Sequence, residues 1–324
     1  KMPRLVAGVD LGGTTASLAL ADLDGTIVHE NKIATESYGG PQRVLERIAE
    51  GILALAEEAG QKPAALGIGL PGLVDMESGT SRFMPNLPTN WVNVEVSQIL
   101  SALIGCPVKL INDARAATLG ELRFGHGREA DSLALFTLGT GIGGGIAIDG
   151  KLRLGPIGAA GEFGHLAVLP YGPMCGCGNR GCLETLISGP ALTGEAVRLV
   201  RSGRAPILNE LVKGDISLVT PKTMAEAANA GDDVLKATIT LRGEYLGIGA
   251  ANVVMIVHPE IIVLSGGVAE MGELILEPVR RTIRERVSMV PTEAIRVEKS
   301  QIGERAGLCG TLALAADTVT GQPS

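Results

Sequence analysis

Two glycine-rich turns, each set between strand-like runs, constrain this chain more than any other feature. The first is Asp10-Leu11-Gly12-Gly13-Thr14-Thr15; the second is Thr137-Leu138-Gly139-Thr140-Gly141-Ile142-Gly143-Gly144-Gly145. Leu5-Val6-Ala7-Gly8-Val9 precedes the first, and Leu18-Ala19-Leu20-Ala21 and Ile27-Val28 follow it, parted by the turn signal Asp24-Gly25. The run 133–138 precedes the second, and Ile146-Ala147-Ile148 follows, turning at Asp149-Gly150. After each such opening, helical and strand patterns alternate. Apolar spacing predicts helices over 42–59, 94–104 and 114–124, with strands over 65–70 and 107–111. In the second half it predicts helices near 189–201, 222–230, 232–255, 274–287 and 306–316, with strands over 260–264 and 295–297.

A βββαβαβα plan used twice implies an α/β fold of two domains with mixed sheets. The expected division is 1–118 and 119–304, with no Ser/Gly/Pro-rich linker between them. An interdomain cleft is the expected place for a ligand. A C-terminal helix, about 305–324, is expected to pack back on the first domain.

The glycine turns themselves narrow the chemistry. Gly139, Gly141 and Gly144 spell a literal G-x-G-x-x-G. In a dinucleotide-binding fold those glycines open a helix, whereas here they run into a strand closed by a turn, so that reading is rejected. Neither turn has the Gly-Lys-Ser/Thr of a P-loop. What remains is a hairpin whose bare backbone N–H groups and threonine hydroxyls can bind phosphate oxygens. Two copies suit a triphosphate, and Asp10 adds a carboxylate where hydrated Mg²⁺ would sit against the phosphates. Plain tight turns are the bland alternative, and a duplicated pair weighs against it.

A second cluster lies between Ala160 and Thr185. Three of the five cysteines and one of four histidines fall there, with Glu162 and Glu184 beside them. His165, Cys175, Cys177 and Cys182 make a complete Cys₃His tetrahedral zinc set. Gly176, Gly178 and Gly181 are expected to take positive φ and wrap the loop 165–182 round a small ion. A disulfide would leave one thiol over. Cys106 and Cys309 stand alone in apolar surroundings and read as small core residues.

Composition excludes several function classes. Apolar residues make up 45% and charged residues 19%, which fits a globular chain rather than a disordered one. A net charge of −7 argues against nucleic acid as the main partner. It also argues against a nucleic-acid-binding zinc ribbon. The 45 glycines cluster at 12–13, 67–72, 139–145 and 266–267, as expected where backbone approaches a ligand closely. Lys1-Met2-Pro3-Arg4 lacks the apolar region of a secretory leader, and the longest apolar stretch, 248–257, is too short to span a bilayer. A cytoplasmic protein without a membrane partner is expected.

These residues together resemble the sugar kinases of the ROK family, within the actin-like ATPase superfamily. The two turns resemble its phosphate motifs, Ser265-Gly266-Gly267-Val268 its adenosine motif, and Glu162-Phe163-Gly164-His165 its E-x-G-H. Cys175 through Glu184 is similar to its C-x-C-G-x-x-G-C-x-E. The resemblance covers nearly the whole chain in family order. It implies two actin-like (ribonuclease H-like) domains and a hexose kinase, glucose being the first-choice substrate. It implies ATP, Mg²⁺ and structural Zn²⁺ as cofactors, and a homodimer or homotetramer. Asp10, Gly12, Gly13, Thr14, Thr140, Gly141, Gly266 and Gly267 would then bind ATP. Asn86, Asn112, Asp113, Glu162, His165 and Glu184 would bind the sugar, with Asp113 as the base.

Two of these positions have ordinary readings as well. Asp113 precedes a helix and would serve as its N-cap. Asn86 follows Pro85 and would serve as a plain turn residue. One position departs from the family pattern: Arg115 stands where Asn-Asp-Ala is commonly followed by Asn. It puts a cation two residues from the proposed base and bears on which sugar is accepted. N-acetylmannosamine and other hexose kinases share most of these motifs, and polyphosphate is an alternative donor. A sugar-responsive regulator is the rival from another class. It is disfavoured because the first phosphate motif begins at Asp10 and leaves no room ahead for a DNA-reading domain.

Overall fold

The computed structural model describes residues 4–322; Lys1-Met2-Pro3, where the sequence reading finds no leader, lie outside them. Two compact units emerge. One contains residues up to Asp131, Gly145–Gly161 and the stretch from Glu304 onward; the other contains Ser132–Gly144 and Glu162–Gly303.

The chain opens with β1 (Leu5–Leu11), β2 (Thr15–Asp22), β3 (Ile27–Ala34) and α1 (Gly40–Glu58). Next come β4 (Leu66–Leu70), β5 (Leu73–Asp75), β6 (Thr80–Phe83), α2 (Val96–Ile104), β7 (Val108–Asn112) and α3 (Asp113–Phe124). Strands align in the order β3-β2-β1-β4-β7. β1 runs antiparallel to β2 and parallel to β4, and β4 runs parallel to β7. All five residues of β4 are buried, as expected of a parallel strand covered on both faces. β3, at the edge, turns His29, Glu30, Asn31 and Lys32 toward solvent, which blunts that edge against further pairing.

The second series is β8 (Leu133–Leu138), β9 (Ile142–Ile148), β10 (Lys151–Arg153), α4 (Glu184–Ile187), α5 (Gly189–Arg201), α6 (Pro206–Leu211) and α7 (Pro221–Asn229). α8 (Asp233–Val257), β11 (Ile261–Ser265), α9 (Glu273–Arg286), β12 (Arg296–Lys299) and α10 (Ala306–Thr320) complete it. Its sheet order, β10-β9-β8-β11-β12, repeats the first position for position. The duplicated mixed α/β plan read from the sequence is therefore the plan of the fold.

Local departures have local causes. The β5–β6 hairpin was not anticipated, because strands of three and four residues carry no readable alternation. Its turn is held by Asp75, whose Oδ1 accepts from the backbone N–H of Glu77 (3.1 Å) and Ser78 (3.0 Å). α2 begins at Val96 rather than Val94, because the Val94 carbonyl is taken by the Ser81 N–H at 3.0 Å. Cys106 is buried as expected, but Cys309 is only half-buried, with Arg305, Glu30 and Glu121 near enough to act on its thiol electrostatically.

α10 packs backbone-close against α3 and the sheet. A Cβ at Gly310 would stand 1.7 Å from the Ala116 carbonyl oxygen, and one at Gly120 would stand 2.2 Å from that of Ala306. Arg123 clamps the pair with two bonds to the buried Asp317, 2.9 and 2.8 Å long. Helix propensity alone favours Gly310→Ala by roughly 1 kcal/mol. The overlap with fixed backbone outweighs it, so Gly310→Ala is expected to destabilise the protein by about 3 kcal/mol. Urea unfolding of the variant checks this; an unchanged midpoint would show that the two helices do not meet so closely.

Candidate active site

The first glycine turn joins β1 to β2 and is stapled from a distance. The Gly12 N–H donates to the Thr15 carbonyl (2.9 Å), Thr35 Oγ1 donates to the Gly12 carbonyl (2.8 Å), and the Thr35 N–H donates to that of Thr14 (2.8 Å). Thr35 is buried, so both of its bonds are shielded from water. No local signal marked Thr35, since its role depends on the pairing of Ala34 with Thr15 across β2 and β3. Asn86 is exposed in a turn closed by the Leu87 N–H on the Met84 carbonyl, and its own carbonyl lies 3.2 Å from where a Gly13 Cβ would be.

Asp10 ends β1 beside a glycine of α10. A Cβ at Gly307 would come within 2.5 Å of Asp10 Oδ2, so only glycine leaves the carboxylate room. Burial, and after it the charge of Asp113, pushes the Asp10 carboxyl up to about 6, against a smaller lowering by Lys32. A buried acid raised by a neighbouring acid beside a glycine turn forms a site suited to a divalent cation and phosphate.

Asn112, not Asp113, is the N-cap of α3, a correction to the sequence reading. Its backbone is extended (φ −67°, ψ 145°), and its Oδ1 accepts from the N–H groups of Ala114 (3.0 Å) and Arg115 (3.2 Å). Asp113 is the first helical residue, and its Oδ1 accepts from the Ala114 N–H at 2.8 Å. Arg115 is buried, 1% exposed, and its Nη1 donates to Asn112 Oδ1 at 3.1 Å. Asn112 Nδ2 in turn donates to the Gly72 carbonyl at 2.9 Å. The amide orientation of Asn112 is thus fixed at both ends, and its oxygen is filled by three donors.

In the other unit, the second glycine turn joins β8 to β9, a hairpin and not a strand–helix turn. Gly139 N–H donates to the Gly141 carbonyl (2.9 Å), Gly143 N–H to Thr137 Oγ1 (3.1 Å) and Gly189 N–H to the Gly139 carbonyl (2.8 Å). Thr140 is exposed at the tip. Gly266 and Gly267 follow β11, where the Val268 N–H donates to the Leu138 carbonyl at 3.1 Å. Gly266 has φ +90°, and a Cβ there would stand 2.6 Å from that same carbonyl oxygen. The proposed adenosine turn therefore abuts the second phosphate turn.

Glu162 is exposed and leads into a short 3-10 turn, Phe163–His165, anchored by Phe163 on Phe136 with ring centroids 4.5 Å apart. His165, Cys175, Cys177 and Cys182 converge, with ligand atoms all within 4.8 Å of one another. Cys175 Sγ lies 3.7 Å from His165 Nδ1, and Cys177 Sγ lies 3.7 Å from Cys182 Sγ. Tetrahedral zinc with Zn–S bonds of about 2.3 Å separates its sulfurs by about 3.8 Å. All five cysteines are free thiols, which removes the disulfide reading. Burial and the neighbouring thiols push the Cys182 thiol up to about 12, so ionising all three sulfurs together calls for a cation in their midst. The cluster is compatible with structural zinc. Gly178 and Gly181 take φ +91° and +67°; Gly176 does not take positive φ, contrary to expectation, because the loop turns at the other two.

The chain is similar to known proteins over nearly its whole length. The sequence model of the ROK family matches residues 6–318. The chain is 37% identical to a glucokinase of Thermotoga maritima, over 99% of this chain and all of that one. It is 32% identical to a xylose repressor of Caldicellulosiruptor bescii, over 95% of this chain and 77% of that one. The crystal structure of a ROK family glucokinase from Streptomyces griseus in complex with glucose and AMPPNP superposes with a TM-score of 0.82. It is 36% identical, over 96% of this chain and 99% of that one.

The buried acid makes a pH prediction. A folded-state pKa of about 6, raised from 3.8, gives stability that is full below the lower value and lost as pH rises through the upper one. The loss amounts to about 3 kcal/mol at most. Without added divalent cation or nucleotide, Asp10→Asn should therefore gain on the parent protein between pH 4 and pH 7. Urea midpoints across that range test the point, and parallel pH profiles for the two proteins would contradict it.

Proposed function

The chain belongs to the ROK family, and on that premise we propose that it is an ATP-dependent hexose kinase with glucose as its preferred acceptor. The carboxylate pair Asp10 and Asp113 carries the reading. Asp10 lies near the end of β1 beside a stapled glycine turn and Asp113 directly follows β7, in a chain similar over nearly its full length to a glucokinase.

In this reading Asp113 takes the proton of the sugar's 6-hydroxyl as that oxygen bonds to the γ-phosphorus. The bond from the γ-phosphorus to the bridging oxygen breaks, and ADP leaves. The transition state is loose, so most of the acceleration comes from positioning and from dipoles aimed at the phosphoryl oxygens. The turns of Gly12, Gly13 and Thr14 and of Thr140 and Gly141 serve the phosphates, the Gly12 N–H bracing its own turn through the Thr15 carbonyl, and Gly266 and Gly267 serve the adenosine. Asp10 would hold a Mg²⁺ ion, which would supply neutralisation of phosphate charge. His165, Cys175, Cys177 and Cys182 would hold a structural zinc, which would brace the sugar-binding segment.

Asn86, Asn112, Glu162, His165 and Glu184 bind the ring hydroxyls. Asn112 has its oxygen filled by Ala114, Arg115 and the Arg115 guanidinium, so it offers the sugar only the second hydrogen of Nδ2. Arg115 thereby adds a side-chain donor to the orientation that the backbone N–H groups of Ala114 and Arg115 already set.

The xylose repressor supports a second reading, a sugar-responsive DNA-binding regulator, because its similarity also covers 95% of this chain. A coupled assay with ATP over glucose, mannose, fructose, allose and the N-acetylhexosamines decides between hexoses. Glucose is expected to give the highest kcat/KM; activity on N-acetylmannosamine alone would replace the substrate and keep the chemistry. Asp113→Ala should lower kcat on the best sugar by about 10²–10⁴-fold, with KM moving much less. Undiminished turnover in that variant, or sequence-specific DNA binding without any phosphorylation, would defeat the proposal.

A further inference from the structure

Ile142, where the second glycine turn becomes β9, is gripped from two sides by the metal-binding segment. Its N–H donates to Glu184 Oε2 at 2.8 Å. Its carbonyl faces Gly164, where a Cβ would come within 2.1 Å of the oxygen. Glu184 stands two residues after Cys182, and Gly164 immediately precedes His165. Glu184 Oε2 also fills the space over Gly141, 2.6 Å from where a Cβ would be.

The peptide between Gly141 and Ile142 is consequently fixed at both ends. Its N–H is bonded to Glu184, and its carbonyl accepts from the Gly139 N–H at 2.9 Å. Glycines 139 and 141 impose no backbone preference of their own, so without these bonds the peptide planes at the tip are free to rotate. A carboxylate is a strong and directional acceptor for a backbone N–H. Ile142 is buried, which makes the loss of that acceptor costly.

We propose that Glu184 is a positioning residue for the second phosphate-binding turn, so that the metal cluster governs nucleotide affinity as well as the sugar site. The inference rests on reading residues 139–145 as a phosphate turn, and it goes beyond a hydroxyl-binding role for Glu184. One carboxylate then serves both substrates: one oxygen holds the turn, and the other remains for the sugar. Cys182 and His165, as metal ligands, hold the two segments from which the grip is applied.

The test is ADP binding measured by titration calorimetry without sugar, so that a hydroxyl-binding role cannot move the result. Glu184→Ala is expected to weaken ADP binding by about 10- to 100-fold. Glu184→Gln should stay close to the parent protein, because its amide oxygen still accepts from the Ile142 N–H. Unchanged ADP affinity in a folded Glu184→Ala variant would overturn the proposal, as would an equal loss in both variants. Should the alanine variant fail to fold, hydrogen exchange of the parent protein decides the matter. Stripping the metal should lower amide protection across 139–145 and readdition of Zn²⁺ should restore it, whereas indifference of that stretch to metal refutes the link. A protein that binds ADP but phosphorylates no hexose would refute the kinase reading and leave this inference intact. One that binds no ADP would overturn both.

Discussion

A glycine turn at the tip of a buried strand exposes peptide groups with nothing local to orient them, and everything chemical in this protein depends on how those groups are held. The first turn takes two bonds from Thr35, and the second takes the Gly189 N–H and the Glu184 carboxylate. The glycine turn after β11 leans on the Leu138 carbonyl through the Val268 N–H. In each case the partner lies elsewhere in the sequence, and its own position is set by sheet register or helix packing. Flexible backbone becomes a rigid binding surface because neighbouring elements complete its hydrogen bonds.

Charge is handled by the same economy of neighbours. Burial and Asp113 both resist the ionisation of Asp10 and raise its carboxyl to about 6. Arg115 is a buried cation directed not at solvent but at the oxygen of Asn112, where it fixes an amide that two backbone donors already hold. Polar groups in this region act mainly by orienting one another.

The Cys₃His cluster shows how a small metal-ready loop extends its influence. Gly164, directly before its first ligand, and Glu184, two residues after its last, both lie against the second glycine turn. The glycines that matter for close approach, Gly164 and Gly141, lie on either side of that contact. The turn they approach is mostly glycine and has few side chains of its own to hold it.

How much of this was legible beforehand depends on the range of each interaction. The duplicated strand and helix plan, the hairpin nature of the second turn and the convergence of His165 with three cysteines follow from local periodicity and spacing, which the backbone enforces residue by residue. The β5–β6 hairpin escaped because its strands are too short for alternation to register. Whether Asn112 or Asp113 caps α3 could not be read from adjacent residues that are both good caps; the helix begins after Asn112, whose extended backbone lets Oδ1 reach the Ala114 and Arg115 N–H groups. Thr35 on Gly12, Gly307 beside Asp10 and Glu184 on Ile142 join residues 23, 297 and 42 positions apart. Sequence determined which groups the protein has and which elements carry them, since both depend on neighbours along the chain. Tertiary structure alone decided which groups meet and which way they point, because those contacts close only when the sheets and α10 have packed.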